Sequence, residues 1–414
     1  MKTIFVILDG AADLPCKKLN WKTPLEAANK PNLDYFTQNG VMGQVQTVGK
    51  NIAPESDVAV FALLGYNPFK SFSGRGPLEA SGAGIKLGKH FLAFRTNFAT
   101  ANGEKIIERR AGRNLTTSEA NKLTEAINKY VKLKCKFIFK NTVEHRGILV
   151  LYGKFSNNIS NVDPAYEKEG NFGVARKNND MKIKECRPLS KNAKKSAELV
   201  NEFVRQSKLI LEHHPVNQKR KELNLLPANV ILPRDAGNKM PKIKKKSRWA
   251  AIVGMPLEIG IAELAGMKIL RTQLSSITSR NIYDNVYASL FSSLKQSVSH
   301  LKSNWNKHNN FYIHIKETDI PGHDGLPIEK KGIIEIIDRE FFSELRKLKN
   351  FRLIVTSDHS TPCSLKSHSD DPVPLLAYGF RKENDGLLFS EKNARHGSLK
   401  LMLGKDVLNK LMKG

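Results

Sequence analysis

Short uninterrupted apolar runs recur along this chain, and three of them end in acidic residues. Thr3–Leu8 runs into Asp9-Gly10, Phe311–Ile315 into Lys316-Glu317-Thr318-Asp319, and Phe351–Thr356 into Ser357-Asp358-His359. Trp249–Val253 is a fourth run of the same kind. Apolar segments this short, without polar alternation, predict strands buried on both faces, as in a parallel sheet. Apolar residues at helical spacing predict helices over Ile333–Leu348 and Asp284–Leu301. Strands alternating with helices predict an α/β fold, with a mostly parallel sheet flanked by helices. Sheets of that kind bind ligands beyond the carboxyl ends of their strands, where Asp9, Asp319 and Asp358 fall.

The middle of the chain has a different rhythm. Asn114–Tyr130 and Ala193–Leu211 are helical in pattern, Phe137–Phe139 and Gly147–Tyr152 are β-like, and the polar stretch Ser156–Arg187 predicts extended loops. A basic run, Lys242–Arg248, precedes Trp249 and marks the place where the chain re-enters the sheet. No internal repeat is present.

Composition narrows the class. With 40% hydrophobic and 26% charged residues in 414, the chain has the balance of a folded protein. No apolar run reaches the ~20 residues that span a bilayer. The run Ile4–Leu8 is too short for a secretory signal. Cys16, Cys135, Cys186 and Cys363 have no CxxC spacing, which speaks against a zinc finger or disulfide framework and for a cytoplasmic protein. The net charge of +27 is uneven: residues 101–250 hold 33 basic and 15 acidic residues. Such a charge suits nucleic-acid phosphates, a small anion drawn into a cleft, or simply a solvated face.

Candidate chemistry gathers near the carboxyl terminus. Asp319 and His323 lie four apart beyond one strand, Asp358-His359 follows another, and His368 comes nine residues later. Mixed Asp/His sets suit divalent ions of intermediate hardness, such as Mn²⁺ or Zn²⁺, and two clusters imply two ions. A phosphoryl acceptor is available in Ala53-Pro-Glu-Ser56-Asp57, where Ser56 opens a helix over Val58–Leu64. Backbone N–H groups at a helix start attract phosphate, so Ser56 is read either as a nucleophile or as an ordinary N-cap.

A resemblance weighs these fragments together. Ile7-Leu-Asp-Gly-Ala-Ala-Asp13, Ala53-Pro-Glu-Ser-Asp-Val-Ala59 and Gly74-Arg-Gly-Pro-Leu-Glu-Ala80 are similar to motifs of archaeal-type 2,3-bisphosphoglycerate-independent phosphoglycerate mutases, members of the alkaline phosphatase superfamily. So are His314–Gly325, Ser357–Cys363, His368–Pro374 and, in the middle, Arg109–Arg113, His145–Leu151, His214–Asn217 and Pro227–Arg234. They stand in the family's order over essentially the whole chain. The resemblance implies an alkaline-phosphatase-like catalytic domain, residues 1–70 plus 241–414, interrupted by an α+β substrate-binding cap over 71–240. It implies one divalent ion on Asp9, Ser56, Asp358 and His359 and a second on Asp319, His323 and His368. Mn²⁺ is favoured, with Zn²⁺, Co²⁺ or Mg²⁺ as alternatives.

The implied activity interconverts 3-phosphoglycerate and 2-phosphoglycerate through phospho-Ser56, without a bisphosphoglycerate cofactor, in glycolysis and gluconeogenesis. Lys316 would neutralise the transferring phosphoryl group. Arg113, Arg146 and Arg234, with Arg75 and Arg95 behind them, are the candidates for binding the trianionic substrate, because guanidinium groups pair bidentately. The sequence departs from the family pattern at Asp235, where glycine is expected, at Lys400-Leu-Met, and over Thr272–Asp284, which lacks a Gly-rich loop. Two alternatives stay open: a related metal-dependent phosphotransferase or phosphohydrolase acting on another small alcohol such as homoserine, and a nucleic-acid-binding protein. The second lacks any aromatic-interleaved basic run, and no GxxxxGK[ST] loop supports an ATP-using kinase.

Overall fold

Alternation along the first strand decides how the main sheet is covered. In Lys2–Leu8, Ile4, Val6 and Leu8 enter one apolar cluster while Phe5 and Ile7 enter another, on the opposite face. The computed structural model describes residues 1–169, 172–175, 181–273, 275, 277, 279 and 281–413. Parts of the Ser156–Arg187 and Thr272–Asp284 readings therefore fall outside the described residues. Among those described, eight strands form the main sheet, in the order Lys268–Arg271, Trp249–Val253, Asn310–Ile315, Lys2–Leu8, Phe351–Thr356, Val373–Tyr378, Gly40–Gln46 and Leu401–Leu403. The first five are mutually parallel; only Val373–Tyr378 runs against the rest. Helices cover both faces, so the α/β class read from the sequence is the one observed.

A second, antiparallel sheet is built from the middle of the chain. Phe91–Asn102 pairs with Arg146–Tyr152, with Val230–Gly237 and, at its end, with Lys105–Glu108, and Phe137–Asn141 continues beyond Arg146–Tyr152. The helices Thr117–Tyr130 and Lys194–Glu212 bury their apolar stripes against it, around Phe98, Phe139 and Phe203. Between the two sheets lies the helix Arg75–Gly82, packed on Phe91–Asn102 and on the helix Pro256–Leu264. That second contact is backbone against backbone. A Cβ on Gly82 would overlap the carbonyl of Pro256, and one on Gly260 that of Leu78.

Two expectations need correction. The helix read over Ile333–Leu348 begins at Pro327, and a wider turn over Asp338–Phe342 interrupts it before it ends at Ser343–Leu345. That turn carries Asp338, whose carboxylate accepts the backbone N–H groups of Asn32 (3.2 Å) and Leu33 (2.7 Å) at the start of the helix Pro31–Gln38. The stretch Ser156–Arg187 is not loop throughout: Tyr166–Glu169 and Phe172–Ala175 form a hairpin, and Phe172 packs on Phe69 and Phe72.

Gly82→Ala tests the inter-sheet contact. The added methyl forces the two helices apart, and overpacking of this kind costs about 1–3 kcal/mol. A lowered denaturant midpoint is expected; an unchanged midpoint would mean the helices do not touch as described.

Candidate active site

The parallel strands end side by side, and their ends supply the first cluster. Asp9 follows Lys2–Leu8, and Asp358-His359 follows the adjacent strand Phe351–Thr356. Gly10 makes the turn with φ +56°, a conformation in which a side chain is strained; a Cβ there would also lie 2.5 Å from both Asp319 Oδ1 and Thr361 Oγ1. The backbone N–H of Gly10 donates to Asp358 Oδ1 at 3.0 Å. His359 Nε2 lies 3.3 Å from Asp9 Oδ1 and 3.4 Å from Asp358 Oδ2. All three side chains are buried, yet Asp9 Oδ1 and Asp358 Oδ2 find no hydrogen-bond partner among the described residues. Burial would raise the Asp358 pKa, but His359, His314 and Lys316 outweigh it and hold the group ionised, below its ordinary value.

The second cluster stands on the short helix Asp319–Asp324 and on the loop that carries His368. His323 Nε2 is 3.3 Å from Asp319 Oδ2, and His368 Nε2 is 3.7 Å from Asp319 Oδ1. Each imidazole turns its Nδ1 to a backbone carbonyl: His368 to Pro54 at 2.8 Å, His323 to Lys366 at 3.2 Å. Donation from Nδ1 leaves both Nε2 atoms as acceptors, and these face each other at 3.2 Å. Two lone pairs cannot be neighbours at that distance without a cation between them or a proton on one. A divalent ion therefore fits this donor set, as it fits the orphaned carboxylate oxygens of the first.

Ser56 lies beside both clusters. It is the first residue of the helix Ser56–Leu63, all of it buried, but Glu55 holds the N-cap position and no side chain caps the helix. The Ser56 hydroxyl instead lies 3.2 Å from His359 Nε2, and the His359 and His368 rings stack at 3.7 Å. Lys316 Nζ ion-pairs with Asp9 and with Glu258, the latter at 3.1 Å.

One cleft of about 260 Å³ joins these groups to the second sheet. Asp9, Ser56, Lys316, Asp319, His323 and His368 line it, and Asp358 and His359 sit behind that wall. All five arginines singled out in the sequence reach the same cleft. Arg75 pairs with Glu79 at 2.5 Å, Arg234 with Asp163 at 2.6 Å, and Arg146 with Glu144 at 3.2 Å. Arg113 donates to both oxygens of Asp324 at 2.8 Å. Arg95 Nε, buried, approaches Glu79 Oε1 only to 3.7 Å and makes no hydrogen bond among the described residues. Burial, with Arg75 and Arg234 close by, lowers the Arg95 pKa to about 10.

The chain has relatives over its full length. A family model described as 2,3-bisphosphoglycerate-independent phosphoglycerate mutase matches residues 37–217. A protein of that name from Aeropyrum pernix is 39% identical, covering 98% of this chain and 97% of its own. One from Methanobrevibacter smithii is 37% identical, covering 100% and 97%. The chain belongs to this mutase family. Among solved structures, a Pyrococcus horikoshii protein superimposes with a TM-score of 0.75 at 28% identity, covering 100% of this chain and 96% of its own. The cofactor-independent phosphoglycerate mutase of Thermoplasma acidophilum gives 0.59 at 30% identity, covering 100% and 99%.

The cleft and the wall behind it contain side chains to which the sequence reading gave no role. Arg109 and Arg110 lie in a motif quoted above; Arg109 shares Asp163 with Arg234, and both guanidinium groups lie over the Tyr166 ring, at 4.9 and 4.2 Å. Glu258, in the first turn after the strand Trp249–Val253, obeys the same strand-end logic as Asp9 and was legible on that ground. His314 lies behind the cleft wall, its Nε2 3.5 Å from Asp9 Oδ2, and a histidine inside the buried strand Asn310–Ile315 was the signal for it.

Burial and the stacked His359 push the His368 pKa down to about 4. Between pH 6.5 and about 4 the unfolded chain takes up a proton at His368 that the metal-free native state refuses, so stability falls as pH falls. Measured against His368→Gln, the metal-free protein should lose at most about 1.4 kcal/mol more per pH unit across this window. Parallel pH profiles of the denaturant midpoint for the two proteins would contradict the neutral, buried His368.

Proposed function

We propose that this chain interconverts 3-phosphoglycerate and 2-phosphoglycerate, with Ser56 as the transient phosphoryl carrier and no bisphosphoglycerate cofactor. The observation that carries this is Ser56 Oγ lying 3.2 Å from His359, beside two Asp/His clusters, in a cleft shared with seven arginines. Asp9, Ser56, Asp358 and His359 would hold one divalent ion, and Asp319, His323 and His368 the other; the mixed donors favour Mn²⁺. When bound, such ions make a hydroxyl more acidic and offset charge on a phosphoryl group.

The protein's own groups do the rest. Ser56 Oγ attacks phosphorus in line, the Oγ–P bond replaces Oγ–H, and the departing 3-oxygen of glycerate ends with the proton. Lys316 stabilises charge on the transferring group. Arginines of the second sheet hold the glycerate carboxylate by bidentate pairing and keep the molecule in the cleft while it turns. Its 2-hydroxyl then attacks, the P–Oγ bond breaks, and Ser56 regains its hydrogen. Storage on Ser56 makes a second phosphorylated molecule unnecessary.

This reading divides the chain into a catalytic part, 1–70 with 241–414, and a cap, 71–240. The cap sheet lies wholly within Phe91–Gly237, and every proposed ion ligand lies outside it, which supports the division. A step of glycolysis and gluconeogenesis in the cytoplasm follows from the activity. It agrees with four free cysteines, and no helix among the described residues is long and apolar enough to cross a membrane.

The test is an enolase-coupled assay with 3-phosphoglycerate and Mn²⁺ but no bisphosphoglycerate, run on the wild type and on Ser56→Ala. Turnover by the wild type, its loss on chelation, and at least a ~1,000-fold loss in the variant are expected. Melting should be little changed, since Ser56 caps no helix. Mass spectrometry should find phosphate on the Ser56 peptide of the wild type. Substantial turnover by Ser56→Ala would end the carrier mechanism.

A further inference from the structure

Lys316 leaves the middle strand of three adjacent parallel strands, and a carboxylate reaches it from each side. In the register of the sheet Leu8 pairs with Ile315, so Asp9 and Lys316 come off neighbouring strands side by side. On the other flank Ile252 pairs with Ile313, and the chain beyond that strand turns into the helix that carries Glu258. Lys316 Nζ pairs with Asp9 and lies 3.1 Å from Glu258 Oε1.

Glu258 is 1% exposed, set between Leu257 and Ile259, and its Oε2 has no hydrogen-bond partner among the described residues. A buried carboxylate is unfavourable unless its charge is met, and Glu258 contributes no ligand to either ion cluster proposed above. Glu258, His314 and Asp9 do form a third group with ligand atoms close together. The ammonium of Lys316 already bridges its two carboxylates, so this group has a resident cation.

We infer that Glu258 is a positioning residue for Lys316, a reading that rests on the phosphoryl-stabilising role proposed for that lysine. A lysine stem has four rotatable carbons, and a single partner leaves its ammonium free to swing. Asp9 cannot be the sole anchor, because the ion cluster that shares Asp9 competes for its charge. Glu258 faces Lys316 from the opposite flank and holds Nζ at the cleft floor, where the transferring phosphoryl group must pass.

The test is a double-mutant cycle on the Mn²⁺-loaded protein with Glu258→Leu, Lys316→Met and the pair, with Glu258→Gln as the conservative variant. Three readouts are taken: kcat and KM for 3-phosphoglycerate, bound manganese per chain, and the affinity for inorganic phosphate by calorimetry. For Glu258→Leu the inference predicts a kcat lowered about 100-fold, the size of effect seen when one transition-state donor is lost, with KM raised by no more than the roughly tenfold loss expected in phosphate affinity. Manganese content should be unchanged and phosphate binding about tenfold weaker, as for a lost charged hydrogen bond. The double variant should be no worse than Lys316→Met alone, and Glu258→Gln, which keeps an oxygen toward Nζ, should recover part of the loss.

Losses that multiply in the double variant, a folded Glu258→Leu protein with wild-type kcat and phosphate affinity, or loss of manganese from that variant would each overturn the inference; the last would make Glu258 an ion ligand. If the wild type binds phosphate but shows no mutase turnover, the mutase reading fails and the phosphate cycle alone decides the role of Glu258. A wild type that binds no phosphate overturns both.

Discussion

Buried negative charge is the constraint on which the rest of this structure depends. Asp9, Asp358 and Glu258 are almost wholly buried at the ends of parallel strands, and Asp319 lies beside them. Carboxylates taken from water cost several kcal/mol each unless cations meet them. Four imidazoles, those of His314, His323, His359 and His368, and Lys316 meet part of that charge, but Asp9 Oδ1, Asp358 Oδ2 and Glu258 Oε2 accept no hydrogen bond among the described residues. The sheet can hold such an arrangement because its strands are apolar on both faces and bring the carboxylates together only at their ends. In the proposed mutase, divalent cations would complete the charge balance, and the same cations would make the serine hydroxyl more acidic beside a phosphate.

The opposite charge is concentrated across the cleft. Arg75, Arg95, Arg234 and Arg109 crowd around Glu79, Asp163 and Tyr166, and Arg95 is left short of partners. An anion with both a carboxylate and a phosphate would satisfy what the protein's own acids leave unmet. Only a small share of the 33 basic residues between 101 and 250 lines this cleft. Others, such as Lys129, Lys191 and Lys219, lie on exposed faces, so the net charge itself says little about the chemistry.

How much could be read in advance follows from what each signal depends on. Trp249–Val253 and Phe351–Thr356 are strands over the residues the apolar pattern marked, because burial on both faces leaves no alternation to confuse. Gly40–Gln46 and Val373–Tyr378 escaped because Gly40, Gly43 and Gln44 dilute the first and Pro374 the second, and proline in a run argues against a central strand. Asp9, Asp319 and Asp358 were legible as strand ends, whereas their convergence is a property of strand order, which no local pattern records. The engagement of Arg113 with Asp324 was equally invisible, since 211 positions separate the two.

Anomalous diffraction from manganese-loaded crystals tests the central claim, that the two Asp/His clusters are cation sites with Ser56 beside them. Two manganese peaks per chain are predicted, one within bonding distance of Asp9, Asp358 and His359 and one of Asp319, His323 and His368. A manganese-loaded structure with either cluster free of anomalous density, or with the ions bound elsewhere in the cleft, would contradict the account.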